Sequence, residues 1–141
     1  MKNPRSLFAD IQFGAEKEEN IINSLQKYFQ SSDIHAMNDK YCIYDAEDST
    51  TKTRYEIKAR RIKFTTYPTT IIPVHKKNAS KNCDRLLFVF GFSDGLYYVK
   101  YDQVLFNTFD TKSISYNRLG CATKPVLHYC IPNEYLLPII L

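Results

Sequence analysis

The stretch LLFVFGF, residues 86–92, constrains the fold of this chain more than any other segment. It is almost continuously apolar, as a strand covered on both faces must be, and Arg85–Phe92 reads as that strand. Ser93-Asp94-Gly95 follows with hairpin-turn chemistry, and Leu96–Tyr101 supplies the return strand. A central strand pair of this kind needs cover from the rest of the chain.

Upstream, residues 1–12 read as a loosely structured arm. From Gly14 to Gln30 the pattern is helical, with Ile21, Ile22, Leu25, Tyr28 and Phe29 recurring at three- and four-residue steps. Acidic residues fill its first turn and Lys27 lies near its end, which suits the helix dipole. Residues 40–46 and 54–64 read as two strands joined by the turn-forming DSTTK segment. Tyr67 to Ser80 reads as a short or irregular helix: Pro68 suits a first turn, while Pro73 and the Thr and Ile residues oppose continuation. Val104–Phe109 is a short helix or strand, Val126–Ile131 a strand, and Pro132 opens a helical turn reaching Leu137. At 141 residues the chain is one domain's worth, so residues 13–141 are expected to form a single α+β domain around one central sheet.

No run of about eighteen apolar residues exists to span a membrane. The N-terminal MKNPRSLFAD has a basic start without an apolar core, unlike a secretory signal. Cys42, Cys83, Cys121 and Cys130 form no CxxC pair, and His35, His75 and His128 are scattered, so reduced thiols in an intracellular, non-secreted protein are the plain reading. The net charge of +4 permits nucleic-acid binding without requiring it. Clustering says more: basic residues concentrate between Lys52 and Arg85, acidic ones at Glu16–Glu19 and Asp45–Asp48. No G-x-S-x-G elbow, P-loop or dinucleotide fingerprint occurs. His128 and Cys130 would share a strand face, but read more simply as core.

The segment YDAEDSTTKTRYEIKAR, residues 44–60, carries the candidate chemistry. Glu56 and Lys58 are two apart on a strand and so share a face. A charge pair on a wet strand face is one reading, and a metal and phosphate site is the other. If the hairpin register gives an odd residue-number sum, Asp45 joins them; a one-residue slip turns Asp45 away. Asp39, Glu47 and Asp48 are substitutes in that case. Stepping back from the apolar stripe of the first helix lands on Glu18, which therefore faces the sheet, where a carboxylate needs a cation.

The order of these elements resembles the PD-(D/E)xK (restriction endonuclease-like) nuclease superfamily. FGAEKEENIINSLQKYF, YCIYDAED, RYEIKAR and LLFVFGFSDGLYYVKYD carry the likeness, and HYCIPNEYLLPII looks like the tail of small resolvase-like members from large DNA viruses and phages. The resemblance implies a central mixed sheet flanked by helices. It also implies a magnesium-dependent DNA endonuclease, manganese being a substitute, with DNA as partner, no membrane, and room for a homodimer. Asp45, Glu56 and the Ile57 carbonyl would hold the ion, Glu18 would reach it directly or through water, and Lys58 would orient the attacking water. Arg60, Lys76 and Lys77 would contact DNA phosphates. If viral, such a protein would work in the host cytoplasm or nucleus, or in the virion. The alternative is an inactive descendant that binds DNA or serves as a virion structural protein.

Overall fold

The computed structural model describes residues 17–115, 117–118, 121–122 and 124–141. The expected N-terminal arm and Glu16 lie outside these residues. Helix α1 covers 17–28 of the described chain. A six-stranded sheet follows the order β1 (Ile34–Ala36), β2 (Ala46–Asp48), β3 (Thr53–Ala59), β5 (Arg85–Phe92), β6 (Gly95–Lys100) and β11 (Leu137–Pro138). β3 and β5 run parallel and every other neighbouring pair is antiparallel, so the sheet is mixed. A second, antiparallel sheet holds β4 (Thr69–Pro73), β10 (Val126–Pro132) and β7 (Asp110–Ile114) in that order. A two-stranded ribbon, β8 (Asn117–Arg118) with β9 (Cys121–Ala122), completes the strands, and α2 (Gln103–Phe106) is a single capped turn.

β5 explains the layering. Its odd positions Leu87 and Val89 pack with Tyr55 and Ile57 against Ile21, Ile22 and Leu25 of α1. Its even positions Leu86, Phe88, Phe90 and Phe92 pack against Ile72, Tyr129 and Ile131 of the second sheet and against Phe106 and Phe109. The apolar run is thus buried on both sides, as its composition requires. α1 crosses β5 at Gly91, where an added Cβ would lie 2.7 Å from Ile21 Cδ1 and 3.2 Å from Lys17 Cε. A bare backbone there lets the helix settle closely.

Several expectations are corrected. Helices do not flank both faces of the main sheet: α1 covers one, and the second sheet covers the other. Residues 40–46 are not a strand. Asp39 Oδ1 accepts from Tyr41 N at 2.9 Å and Met37 N donates to Asp45 O at 2.9 Å, closing a loop whose Tyr41 and Ile43 are exposed. β2 begins only at Ala46, and β3 ends at Ala59, short of the expected residue 64. Residues 67–80 divide into β4, paired with β10 from Thr69↔Pro132 to Pro73↔His128, and a 3-10 segment, Val74–Ser80. Pro73 is tolerated because β4 is an edge strand.

Candidate active site

Arg54, Glu56 and Lys58 alternate along β3 on the face away from α1, in register with Leu86, Phe88 and Phe90. Arg54 donates to the carbonyls of Ala79 (3.1 Å) and Lys81 (2.6 Å) and lies 4.5 Å from the centre of the Tyr44 ring. It thereby clamps the Val74–Ser80 segment to β3. This clamp delivers Lys76, whose Nζ lies 3.0 Å from Glu56 Oε1; Lys58 Nζ is 3.5 Å from the same oxygen. Glu56 is only 2% exposed. Its other oxygen, Oε2, is buried and accepts no hydrogen bond among the described residues.

The hairpin takes the odd-sum register: Ala46 faces Tyr55 and Asp48 faces Thr53, which sets Asp45 beside Glu56. Asp45 N donates to Tyr55 O at 2.9 Å. Beyond this point the chain turns away into the 37–45 loop and leaves β3 without a neighbour on that side. Asp45 fills the gap with its side chain, Oδ2 accepting from Ile57 N at 2.7 Å. The fork therefore fixes a carboxylate in the plane of the sheet, at the seam between its two faces.

Glu18 reaches this seam from the α1 side and is half-buried. Burial, reinforced by the Asp45 and Glu56 charges and opposed by Lys58, pushes its carboxyl up to about 7. Burial also raises Glu56, aided by Asp45 and resisted by Lys76 and Lys58. Lys58 is lowered by burial despite the pull of Glu56. Acid and base are both driven toward neutrality, which means that burial outweighs their attraction. Exposed His75 is held below its usual range by burial and by the Lys76 and Lys58 charges. Three carboxylates and two ammonium groups thus share one electrostatic neighbourhood, the pattern of a site rather than of a wet strand face.

Other candidates fall outside it. Arg60 follows β3, donating from its backbone N to Gly91 O (2.8 Å) and from Nη2 to Ile71 O (3.0 Å), and its charge reaches Lys58. Lys77 is exposed, one residue past Lys76. Asp39 builds the loop turn. Glu47 accepts from Tyr44 Oη at 3.1 Å. Asp48 is buried and accepts from Ser31 Oγ (2.7 Å), Thr50 N (3.0 Å) and Thr51 N (3.3 Å). Burial opposes its ionisation, yet those hydrogen bonds together hold it below the usual carboxylate range. It is a turn anchor. His128 is fully buried, with Nδ1 2.8 Å from Val126 O. In the sequence Arg54 is one of the basic residues concentrated between Lys52 and Arg85; its distinguishing signal is the R-x-E-x-K alternation that puts it on the Glu56 face.

Among the described residues no three His, Cys, Asp or Glu side chains form a ready metal cage. Magnesium does not need one: it keeps several waters and takes one or two carboxylates together with substrate oxygens. The unpartnered Glu56 Oε2, with Asp45 beside it and the Ile57 peptide between, fits that requirement. A cleft of about 460 Å³ is lined by Glu18 with Glu19, Ile22, Asn23 and Ala36. Another, of about 330 Å³, lies between Lys40–Ile43 and His75, Lys76 and Asn78. A further cleft, of about 540 Å³, is lined by Arg60 and opens away from Glu56. A comparison with protein-family models gives no match, and a comparison with curated proteins gives none either.

Proposed function

We propose that the chain is a metal-dependent DNA endonuclease with a restriction-endonuclease-like core. The observation that carries this reading is the buried, half-unpartnered Glu56, set beside Asp45 and faced by Lys58 and Lys76. A buried carboxylate oxygen without a donor is costly unless a cation meets it. In this reading Asp45, Glu56 and the Ile57 carbonyl hold magnesium or manganese. When bound, the ion supplies Lewis-acid polarisation of a phosphodiester and a water of lowered pKa. Lys58, depressed by burial, orients the attacking water and offsets charge growing on the phosphate. Lys76 holds the same Glu56 oxygen as Lys58 and leaves Oε2 open, and Arg60, Lys76 and Lys77 meet flanking phosphates. Glu18 adjusts the charge of the site from the helix side.

The test is cleavage of plasmid and branched DNA in magnesium or manganese. Wild type cuts; Glu56→Ala and Lys58→Ala each lose at least about a hundredfold in rate, the scale of one transition-state contact, while DNA binding persists in Lys58→Ala. Wild type that binds DNA and never cuts it would overturn the proposal. The remaining reading, a non-catalytic DNA-binding domain, draws on the Lys76 ammonium already seated on Glu56 Oε1.

A further inference from the structure

The cleft beyond Arg60 is tied to the site by that residue, which lines it, lies two positions past Lys58 and sets its charge on the Lys58 ammonium. Arg60 and Lys112 of β7 both line the cleft, and among the described residues no carboxylate does. Between these cations the walls are apolar and aromatic, including Ile62, Ile71 and Tyr67. Tyr67 is 60% exposed, yet its backbone is tied down. Asn133 Nδ2 donates to Tyr67 O at 2.7 Å and to Phe64 O at 3.0 Å, and Asn133 Oδ1 accepts from Thr70 Oγ1 at 2.8 Å. An aromatic ring held out to solvent on a fixed backbone is pre-organised to receive a flat partner.

The volume of about 540 Å³, the apolar walls and the paired cations suit a nucleotide, with its base against Tyr67 and its phosphates near Arg60 and Lys112. An added peptide strand fits less well, because Arg60 already takes the Ile71 carbonyl on the open edge of β4. We infer that this cleft holds an unpaired base next to the phosphodiester addressed by Glu56 and Lys58, so that the substrate is DNA with an unstacked nucleotide at the cut rather than a continuous duplex. The inference rests on the nuclease reading for its neighbour and extends it to the class of substrate.

Binding without metal tests it by fluorescence anisotropy, with a duplex bearing one bulged thymidine and the same duplex bearing an abasic bulge. Wild type is expected to prefer the thymidine bulge by about tenfold or more, the scale of one base–aromatic stack. Tyr67→Ala removes that preference and leaves the abasic duplex bound as before; Tyr67→Phe retains it. A bulged 2-aminopurine is quenched by wild type and not by Tyr67→Ala. Equal binding of the two bulges by wild type, or equal loss on both in Tyr67→Ala, would overturn the inference. Base-dependent binding without any cleavage would instead remove the nuclease reading and leave the cleft, so the two failures are distinct.

Discussion

Glu18 holds a proton in the folded chain up to about pH 7, whereas an ordinary glutamate has released its own near 4.5. Between those values the folded state binds more protons than the unfolded one. The stability contributed by Glu18 is therefore full below about pH 4.5, falls as pH rises toward 7, and levels off above it. Glu18→Gln should accordingly raise Tm relative to wild type more at about pH 8 than at about pH 5, as thermal denaturation would read. A Tm difference that stays constant with pH would show that neither burial nor the Asp45 and Glu56 charges act on Glu18. Its inward direction was legible, because helical spacing carries the apolar stripe of Ile21, Ile22 and Leu25 back to it. The choice between Lys76 and Lys77 was not legible. It depends on how Arg54, distant in sequence, seats the 3-10 segment by donating to the Ala79 and Lys81 carbonyls at its end. Nor could spacing alone separate Asp45 from Asp48, since both lie in one acidic run and only hydrogen bonding makes one a turn anchor.

At the scale of elements, the fork between β2 and β3 gives Asp45 two tasks. Its Oδ2 satisfies the Ile57 N–H that the departing strand leaves without a ladder partner, and its charge belongs to the site. The two tasks separate by substitution. Asp45→Asn keeps an oxygen for Ile57 and is expected to hold Tm within a degree or two while abolishing metal-dependent cleavage. Asp45→Ala also loses the hydrogen bond, and denaturant unfolding should show a cost of about 1–3 kcal/mol. Equal stability of the two variants would show that the hydrogen bond is unimportant. The strong apolar strands were the legible elements: β5 has the expected bounds, and β6 is shifted by one residue at each end. The loop before Asp45 and the split of 67–80 were obscured for a physical reason. Short polar and proline-bearing segments take their conformation from their partners, here an Asx turn at Asp39 and a ladder with β10.

At the scale of the whole molecule, two sheets and a helix enclose two cores that share β5. Among the described residues no helix is long and apolar enough to cross a membrane. The α+β class followed from the sequence, but the second sheet as a layer did not, because β4, β7 and β10 come from distant parts of the chain. The basic residues beside the site predict a salt-sensitive association with DNA. Lys77→Ala should reduce the slope of log affinity against log salt by about one, with Tm unchanged, in anisotropy titrations across salt concentrations. An unaltered slope would place Lys77 off the contact face.

The parallel pairing of β3 with β5 has a consequence for the order of events during folding. The hairpins β2–β3 and β5–β6 close locally, but Lys76 sits in the long excursion between β3 and β5, so its meeting with Glu56 waits on a non-local pairing. A half-made chain carries Glu56 with only its strand neighbour Lys58 as counter-ion, and the second ammonium joins once the excursion has folded back.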